Sequence, residues 1–190
     1  MNVKTLALGD YQTNCYIVTE GARCLLIDPG YESPRLLSAL KGLTVEAILL
    51  THGHFDHVGG VRALAAEFDC PVYLGRRELA LPPMMSAGPL YYTHLLDEGR
   101  YTIAGFEVQV LSTPGHSPGS SCFILGDALF AGDTLFAGSC GRTDFPGSDP
   151  RAMKDSLTRL SSLAQDYTVY PGHGEATTLS EEKRYNPYLR

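Results

Sequence analysis

The chain has 190 residues, of which 44% are hydrophobic and 19% charged. This composition excludes disordered and fibrous classes, and a chain of this length suits one domain that buries roughly 70% of its unfolded surface. A net charge of -6, with the basic residues scattered, provides no patch for neutralising nucleic-acid phosphates.

In chain order, β-rich runs between turn residues predict strands at 14 to 19 (NCYIVT), 23 to 27 (RCLLI) and 45 to 51 (VEAILLT). Asp28-Pro29-Gly30 ends the second. Residues 33 to 41 (SPRLLSALK) begin with a Ser cap and Pro at the first helical position, and residues 58 to 68 place Val58, Val61, Leu64, Ala65 and Phe68 on one helical face. Further strands are predicted at 71 to 74, 106 to 111, 121 to 125 and 128 to 131, the last two joined through Gly126-Asp127. A third helix over 149 to 164 starts Asp149-Pro150 and carries Met153, Leu157, Leu160 and Leu163 on one stripe, and a strand at 167 to 170 follows it. Many short strands with interspersed helices predict one layered α/β domain over residues 1 to 190, while periodicity leaves open whether it has one sheet or two. Residues 79 to 100 read either as a connecting loop with some helix or as a flap over a site, with Tyr91, Tyr92 and His94 as its candidate contacts.

No apolar run approaches bilayer length, and the first residues lack a basic start followed by an apolar stretch. The cysteines (Cys15, Cys24, Cys70, Cys122, Cys140) are odd in number and form no C-x-x-C pair, which points to reduced thiols. The expectation is a cytoplasmic protein, monomeric or weakly dimeric, without membrane or nucleic-acid partners.

The stretch THGHFDHVGG concentrates His52, His54, Asp56 and His57 directly after a strand. In extended backbone, residues two apart point the same way, so the imidazoles of His52 and His54 can converge. Asp56 and His57 follow as the chain turns into a helix, so their side chains leave in another direction and a second centre becomes possible. His116, Asp133 and His173 each lie in a Gly-containing turn after a predicted strand. Histidine and carboxylate are donors that divalent metals recruit, and seven are too many for one tetrahedral ion. Two metals sharing a carboxylate match the count.

The H-x-H-x-D-H run, followed by His116, Asp133 and His173 at strand ends, resembles the metallo-β-lactamase fold superfamily over nearly the whole chain. The resemblance implies an αββα sandwich with the site at one edge of the sheets. It implies that His52, His54 and His116 hold one metal, that Asp56, His57 and His173 hold the other, and that Asp133 bridges them, with Asp28 supporting the ligands from behind. Lactamases of the common zinc type place Cys where Asp133 stands, which argues against lactam hydrolysis. The segment Gly138-Ser139-Cys140-Gly141-Arg142-Thr143-Asp144-Phe145 resembles glyoxalase II, hydroxyacylglutathione hydrolase, in its short single-domain form without the C-terminal helical domain.

That likeness implies two divalent ions, zinc first, with iron or manganese as alternatives. It further implies a small-molecule thioester substrate derived from glutathione, hydrolysed by hydroxide generated at the metals. Asp56, His57 and Asp133 would carry the chemistry. Arg142 would meet a substrate carboxylate, with Cys140, Thr143, Tyr91 and Tyr92 as further substrate contacts; the rival for Arg142 is a surface ion pair with Asp144 or Asp149. Proteins similar in the same motifs are persulfide dioxygenases with one iron, for which His52, His116 and Asp133 would be the ligands.

Overall fold

The computed structural model describes residues 1–190. Six strands form the first sheet, in spatial order β1 to β6: β1 (Asn2–Leu8), β2 (Thr13–Glu20), β3 (Arg23–Ile27), β4 (Thr44–Leu50), β5 (Val72–Gly75) and β6 (His94–Leu96). The second sheet contains β7 (Gly99–Ile103), β8 (Phe106–Ser112), β9 (Ser121–Leu125) and β10 (Ala128–Gly132). A small ribbon of β11 (Leu135–Phe136) and β12 (Ser139–Cys140) follows, and β13 (Thr168–Pro171) and β14 (Thr177–Thr178) complete the second sheet in the order β14-β13-β10-β9-β8-β7. The helices are α1 (Pro34–Ala39), α2 (Phe55–Val58), α3 (Val61–Phe68), α4 (Pro150–Ser161) and α5 (Leu179–Tyr185).

Strand alternation builds the layers. On β2 and β3, Cys15, Ile17, Cys24 and Leu26 face α1 and α3, where they meet Leu36, Val61 and Leu64. Their neighbours Tyr16, Val18, Leu25 and Ile27 face the second sheet and pack on Phe106, Phe123 and Phe130. The outer face of that sheet, with Cys122, Ile124 and Leu129, packs on Met153, Leu157 and Leu160 of α4. Each such buried side chain contributes roughly 1.5–3 kcal/mol. The result is an αββα sandwich.

A bulge at Glu46 adjusts β4: Cys24 pairs with Val45 and Leu25 with Ala47, so Val45 and Ala47, two apart, face opposite layers. The predicted Ser33 cap forms, its Oγ accepting from Leu36 N at 3.2 Å, and Asp149 caps α4, its Oδ1 accepting from Arg151 N at 2.8 Å. The Gly126-Asp127 turn joins β9 to β10 with Leu125 opposite Ala128.

Three expectations change. The helix foreseen over 58 to 68 is two pieces, α2 and α3, broken at Gly59-Gly60 where the chain packs against the turn at Pro29 and Gly30. Residues 79 to 100 are no single loop: they include β6 and the start of β7, with short 3-10 turns at Arg76–Ala80 and Pro83–Met85. Strand β1 and helix α5 were not foreseen; β1 leaves one face exposed and α5 opens with Glu181 and Glu182, so neither has a strong apolar pattern. No helix is long and apolar enough to cross a membrane.

Topology collects the site. β3 and β4 run parallel, and β13 runs parallel to β10. β9 lies antiparallel to both β8 and β10, so β8, β10 and β13 share a direction. Asp28, the His52 to His57 run, His116, Asp133 and His173 follow the C-terminal ends of β3, β4, β8, β10 and β13 respectively. All five ends meet at one edge of the sandwich, where ligands of open α/β sheets characteristically bind.

Candidate metal centre

The donors fall into groups. His52, His54 and His116 each bring a ligand atom within 4.8 Å of the other two, and so do Asp56, His57 and His173. Asp133 stands between them: its Oδ1 lies 3.4 Å from His57 Nε2, while its Oδ2 lies 3.4 Å from His116 Nε2 and 3.6 Å from His173 Nε2. One carboxylate thus reaches histidines of both groups, Oδ2 lying between them and Oδ1 turned to His57.

Hydrogen bonds behind the ligands settle which ring nitrogen faces inward. His57 Nδ1 donates to Asp28 Oδ2 at 2.9 Å, and His116 Nδ1 to the Arg142 carbonyl at 2.8 Å. His173 Nδ1 donates to the Tyr11 carbonyl at 3.1 Å. Thr51 Oγ1 donates to Asp28 Oδ2 at 2.5 Å and therefore accepts from His52 Nδ1 at 3.0 Å. In all four rings Nδ1 is the donor to the surroundings, which leaves Nε2 facing the centre as the atom a metal would take. His54 is reversed: its Nδ1 lies 2.8 Å from His116 Nε2.

The donor set fits a metal. His52 Nε2, His57 Nε2 and Asp133 Oδ1, the atoms turned to the centre, are buried without a hydrogen-bond partner. Buried polar atoms are nearly always satisfied, so lone pairs aimed at one another fit a site that cations would fill. Glycine permits the close packing. A Cβ on Gly172 would lie 2.0 Å from Asp133 Oδ1, and one on Gly30 would lie 1.5 Å from the Asp56 carbonyl oxygen.

Electrostatics separate the two groups. Burial lowers His52 far below the usual imidazole value, helped by the neighbouring His57 and His116 charges. Burial and His116 bring His54 down to about 4. Burial also lowers His116, against the pull of Asp133. In the other group, burial pushes His57 down but Asp133 and Asp28 override it and raise His57. Burial likewise opposes His173, which the bond to Asp56 raises. Asp56 and Asp133 are held below the ordinary carboxylate value: burial works against this, but the His173 and His57 contacts of Asp56 and the His57 contacts of Asp133 prevail.

Glu78, missed in the sequence, is fully buried and ties two ligand loops together. Its Oε1 accepts from Gly53 N at 2.7 Å, and its Oε2 accepts from Ser117 Oγ at 2.8 Å and Gly119 N at 2.7 Å. Gly53 lies between His52 and His54, and Ser117 follows His116. Thr13, also unforeseen, donates to Asp56 Oδ2 at 2.8 Å. The only sequence signal for Glu78 was a carboxylate between two apolar leucine-containing stretches.

A cavity of about 530 Å³ opens over the donors, with Phe55, Met85, Phe136, Cys140, Arg142 and Phe145 on its walls. Of the expected substrate contacts, Cys140 and Arg142 are therefore on the wall. Burial pushes the Cys140 thiol up, which keeps it protonated and unsuited as a nucleophile. Arg142 is exposed, and its guanidinium bonds both oxygens of Asp144 at 2.6 and 2.7 Å, the ion pair that was the rival reading. Thr143 is not on this wall. Tyr91 lines an adjoining cavity instead, and Tyr92 lies on a surface groove with Leu79 and Leu90. His94 stacks on Tyr73 with ring centroids 4.8 Å apart, away from the donors. The part of 79 to 100 that reaches the site is Met84 and Met85.

An edge-clustered His and Asp set beneath an open cavity defines a metal-dependent enzyme. The chain belongs to the metallo-β-lactamase superfamily of metallo-hydrolases, whose family model matches residues 8–173. It is 36% identical to the probable metallo-hydrolase YqgX of Bacillus subtilis, over 100% of this chain and 98% of that one. It is 33% identical to the hydroxyacylglutathione hydrolase GloC of Haemophilus influenzae, over 100% and 98% of the two chains. Among solved structures, the BLEG-1 B3 metallo-β-lactamase superposes with a TM-score of 0.91 at 37% identity, covering 99% of each chain. TTHA1623 in a di-iron-bound form gives 0.88 at 44% identity over 98% of this chain and 100% of that one. ETHE1 from Myxococcus xanthus gives 0.86 at 31% identity over 98% and 84%.

Proposed function

We propose that the chain is a thioester hydrolase for hydroxyacylglutathione-like substrates, working with two divalent ions, zinc first and iron or manganese as alternatives. The observation that carries this reading is Asp133, whose Oδ2 lies within 3.4 to 3.6 Å of a histidine from each ligand group while its Oδ1 lies 3.4 Å from His57. The printed activity of the GloC relative supports the substrate class, and the di-iron form of TTHA1623 supports a pair of ions. Free thiols at all five cysteines fit a reducing, cytoplasmic setting.

Bound at the two groups, divalent ions supply a water of low proton affinity and a counter-charge for a carbonyl oxygen. The chain's own residues do the rest. Asp28 and the Arg142 carbonyl hold His57 and His116 in the ligating tautomer. Asp56, fixed by Thr13 and His173, presents an ionised oxygen that orients the attacking water toward the substrate carbonyl. Phe55, Phe145 and Met85 exclude bulk water around the acyl group. A thiolate leaves without a strong acid, so no general acid is required of the site.

The test is Asp56→Ala in protein whose metal content is verified by elemental analysis. Lactoylglutathione turnover should fall about 100-fold, the cost of losing an orienting contact; full turnover at unchanged metal content would remove Asp56 from the mechanism. A β-lactam belongs in the same panel.

The ETHE1 neighbour favours a second reading, a persulfide dioxygenase with one iron on His52, His116 and Asp133. Against it, His54 Nδ1 crowds His116 Nε2 at 2.8 Å, a place suited to a ligand rather than a bystander. About one iron per chain with oxygen uptake on glutathione persulfide would establish this second activity.

A further inference from the structure

Two cavities meet at the metal centre, and each has one arginine on its wall. The cavity over the donors, about 530 Å³, has Arg142. The other, about 590 Å³, has Arg62 of α3. They share Tyr11, Phe55 and Asp56, so a ligand whose reacting carbonyl lies beside Asp56 can extend into both.

The two arginines differ in availability. Arg142 bonds both oxygens of Asp144, and its guanidinium lies 4.0 Å from the Phe145 ring centroid. A guanidinium already engaged by a carboxylate on its forked edge has little left for a second one. The arginine–carboxylate pairs of the protein are Arg76–Asp97, Arg142–Asp144 and Arg159–Glu98, and Arg62 is in none of them. Its guanidinium instead lies 4.8 Å from the Tyr91 ring centroid. Stacking on an aromatic face supports the plane of the guanidinium and leaves its N–H edge free for a planar anion. Asp10 lines the same cavity, so the wall carries charges of both signs.

We propose that the Arg62 cavity is a substrate subsite for the thiol arm of the thioester, and that it takes a peptidic thiol ending in a zwitterionic α-amino acid. Arg62 bonds the carboxylate, Asp10 suits the ammonium, and the Tyr11–Phe55 partition separates this arm from the acyl group over the metal donors. Tyr91 acts by holding Arg62, which gives it a role in substrate binding without a place in the metal pocket. The inference rests on the thioester reading, because only a two-armed substrate uses both cavities.

The test compares two lactoyl thioesters on the metal-loaded full chain, one of glutathione and one of the uncharged N-acetylcysteamine. Arg62→Ala should raise KM for the glutathione ester about tenfold, the worth of one charge-assisted hydrogen bond. It should leave kcat and the uncharged ester unaffected, Arg62→Lys should recover part of the loss, and Arg142→Ala should cost less. Equal effects on both esters, or an effect confined to Arg142→Ala, would overturn the proposal. If neither ester is hydrolysed, the thioester reading fails, and calorimetry with S-methylglutathione still decides the subsite: binding weakened about tenfold by Arg62→Ala supports it. Equal binding by both proteins, or none by either, overturns it.

Discussion

His57 Nδ1 donates to Asp28 Oδ2 at 2.9 Å, and this bond turns the His57 Nε2 lone pair toward Asp133 and Asp56. The same Asp28 oxygen accepts from Thr51 Oγ1, which in turn receives the His52 proton. One carboxylate therefore orients a histidine in each ligand group. Asp28 itself sits in left-handed backbone at φ 49° and has its other oxygen on Thr51 N at 2.8 Å.

Asp28→Asn tests that relationship cleanly, since Asn tolerates left-handed backbone. Its amide nitrogen must face either Thr51 N or His57 Nδ1, both donors. Metal affinity should fall about 10- to 100-fold, as for other groups behind metal ligands. Titration against a chromophoric chelator measures it, and affinity equal to that of wild type would mean that His57 is oriented by something else.

Glu78→Gln should loosen the His52, His54 and His116 group selectively. Three donors converge on the Glu78 carboxylate, and an amide can accept on only one of its two atoms. One bond turns repulsive, at about 1–3 kcal/mol. The expected result is a lower thermal midpoint together with one weakened metal site; a lower midpoint with both sites intact would make Glu78 purely a stabilising residue.

Gly172→Ala should displace Asp133 without replacing any candidate ligand. The new Cβ would lie 2.0 Å from Asp133 Oδ1 and 2.8 Å from His57 Cε1, so one of those groups must move. Elemental analysis should show bound metal falling from about two ions per chain toward one. Two tightly bound ions would show that Asp133 can give way and still bridge.

The two groups should lose metal at different points as pH falls. His52, His54 and His116 have lowered values, so near neutral pH they are already unprotonated and metal does not compete with protons there. His57 and His173 are raised, so protons remain on them at higher pH and must be displaced. As pH falls from about 7 to 5, the ion held by Asp56, His57 and His173 should leave first. Calorimetry in buffers of differing ionisation heat should show proton release on filling that group. Loss of the His52 group first would reverse the assignment.

The sequence alone singled out the candidate donors. Metals recruit few residue types, and the His and Asp residues stand in short turns directly after β4, β8, β10 and β13, so type and position along the chain pointed to them without coordinates. The layered α/β class was legible for the same reason, since alternating apolar residues on β2 and β3 and the stripe on α4 are local patterns. Tertiary structure alone decided what lies between and around the donors. Glu78 matters because Gly53 and Gly119 arrive at it from different loops, and His116 depends on the Arg142 backbone carbonyl rather than on that side chain. Tyr91 is placed against Arg62 in a neighbouring cavity, and Arg142 against Asp144. A hydrogen bond or stacked pair is set by which loops the two sheets bring to one edge, and that arrangement is a property of the packed layers with no counterpart in local sequence.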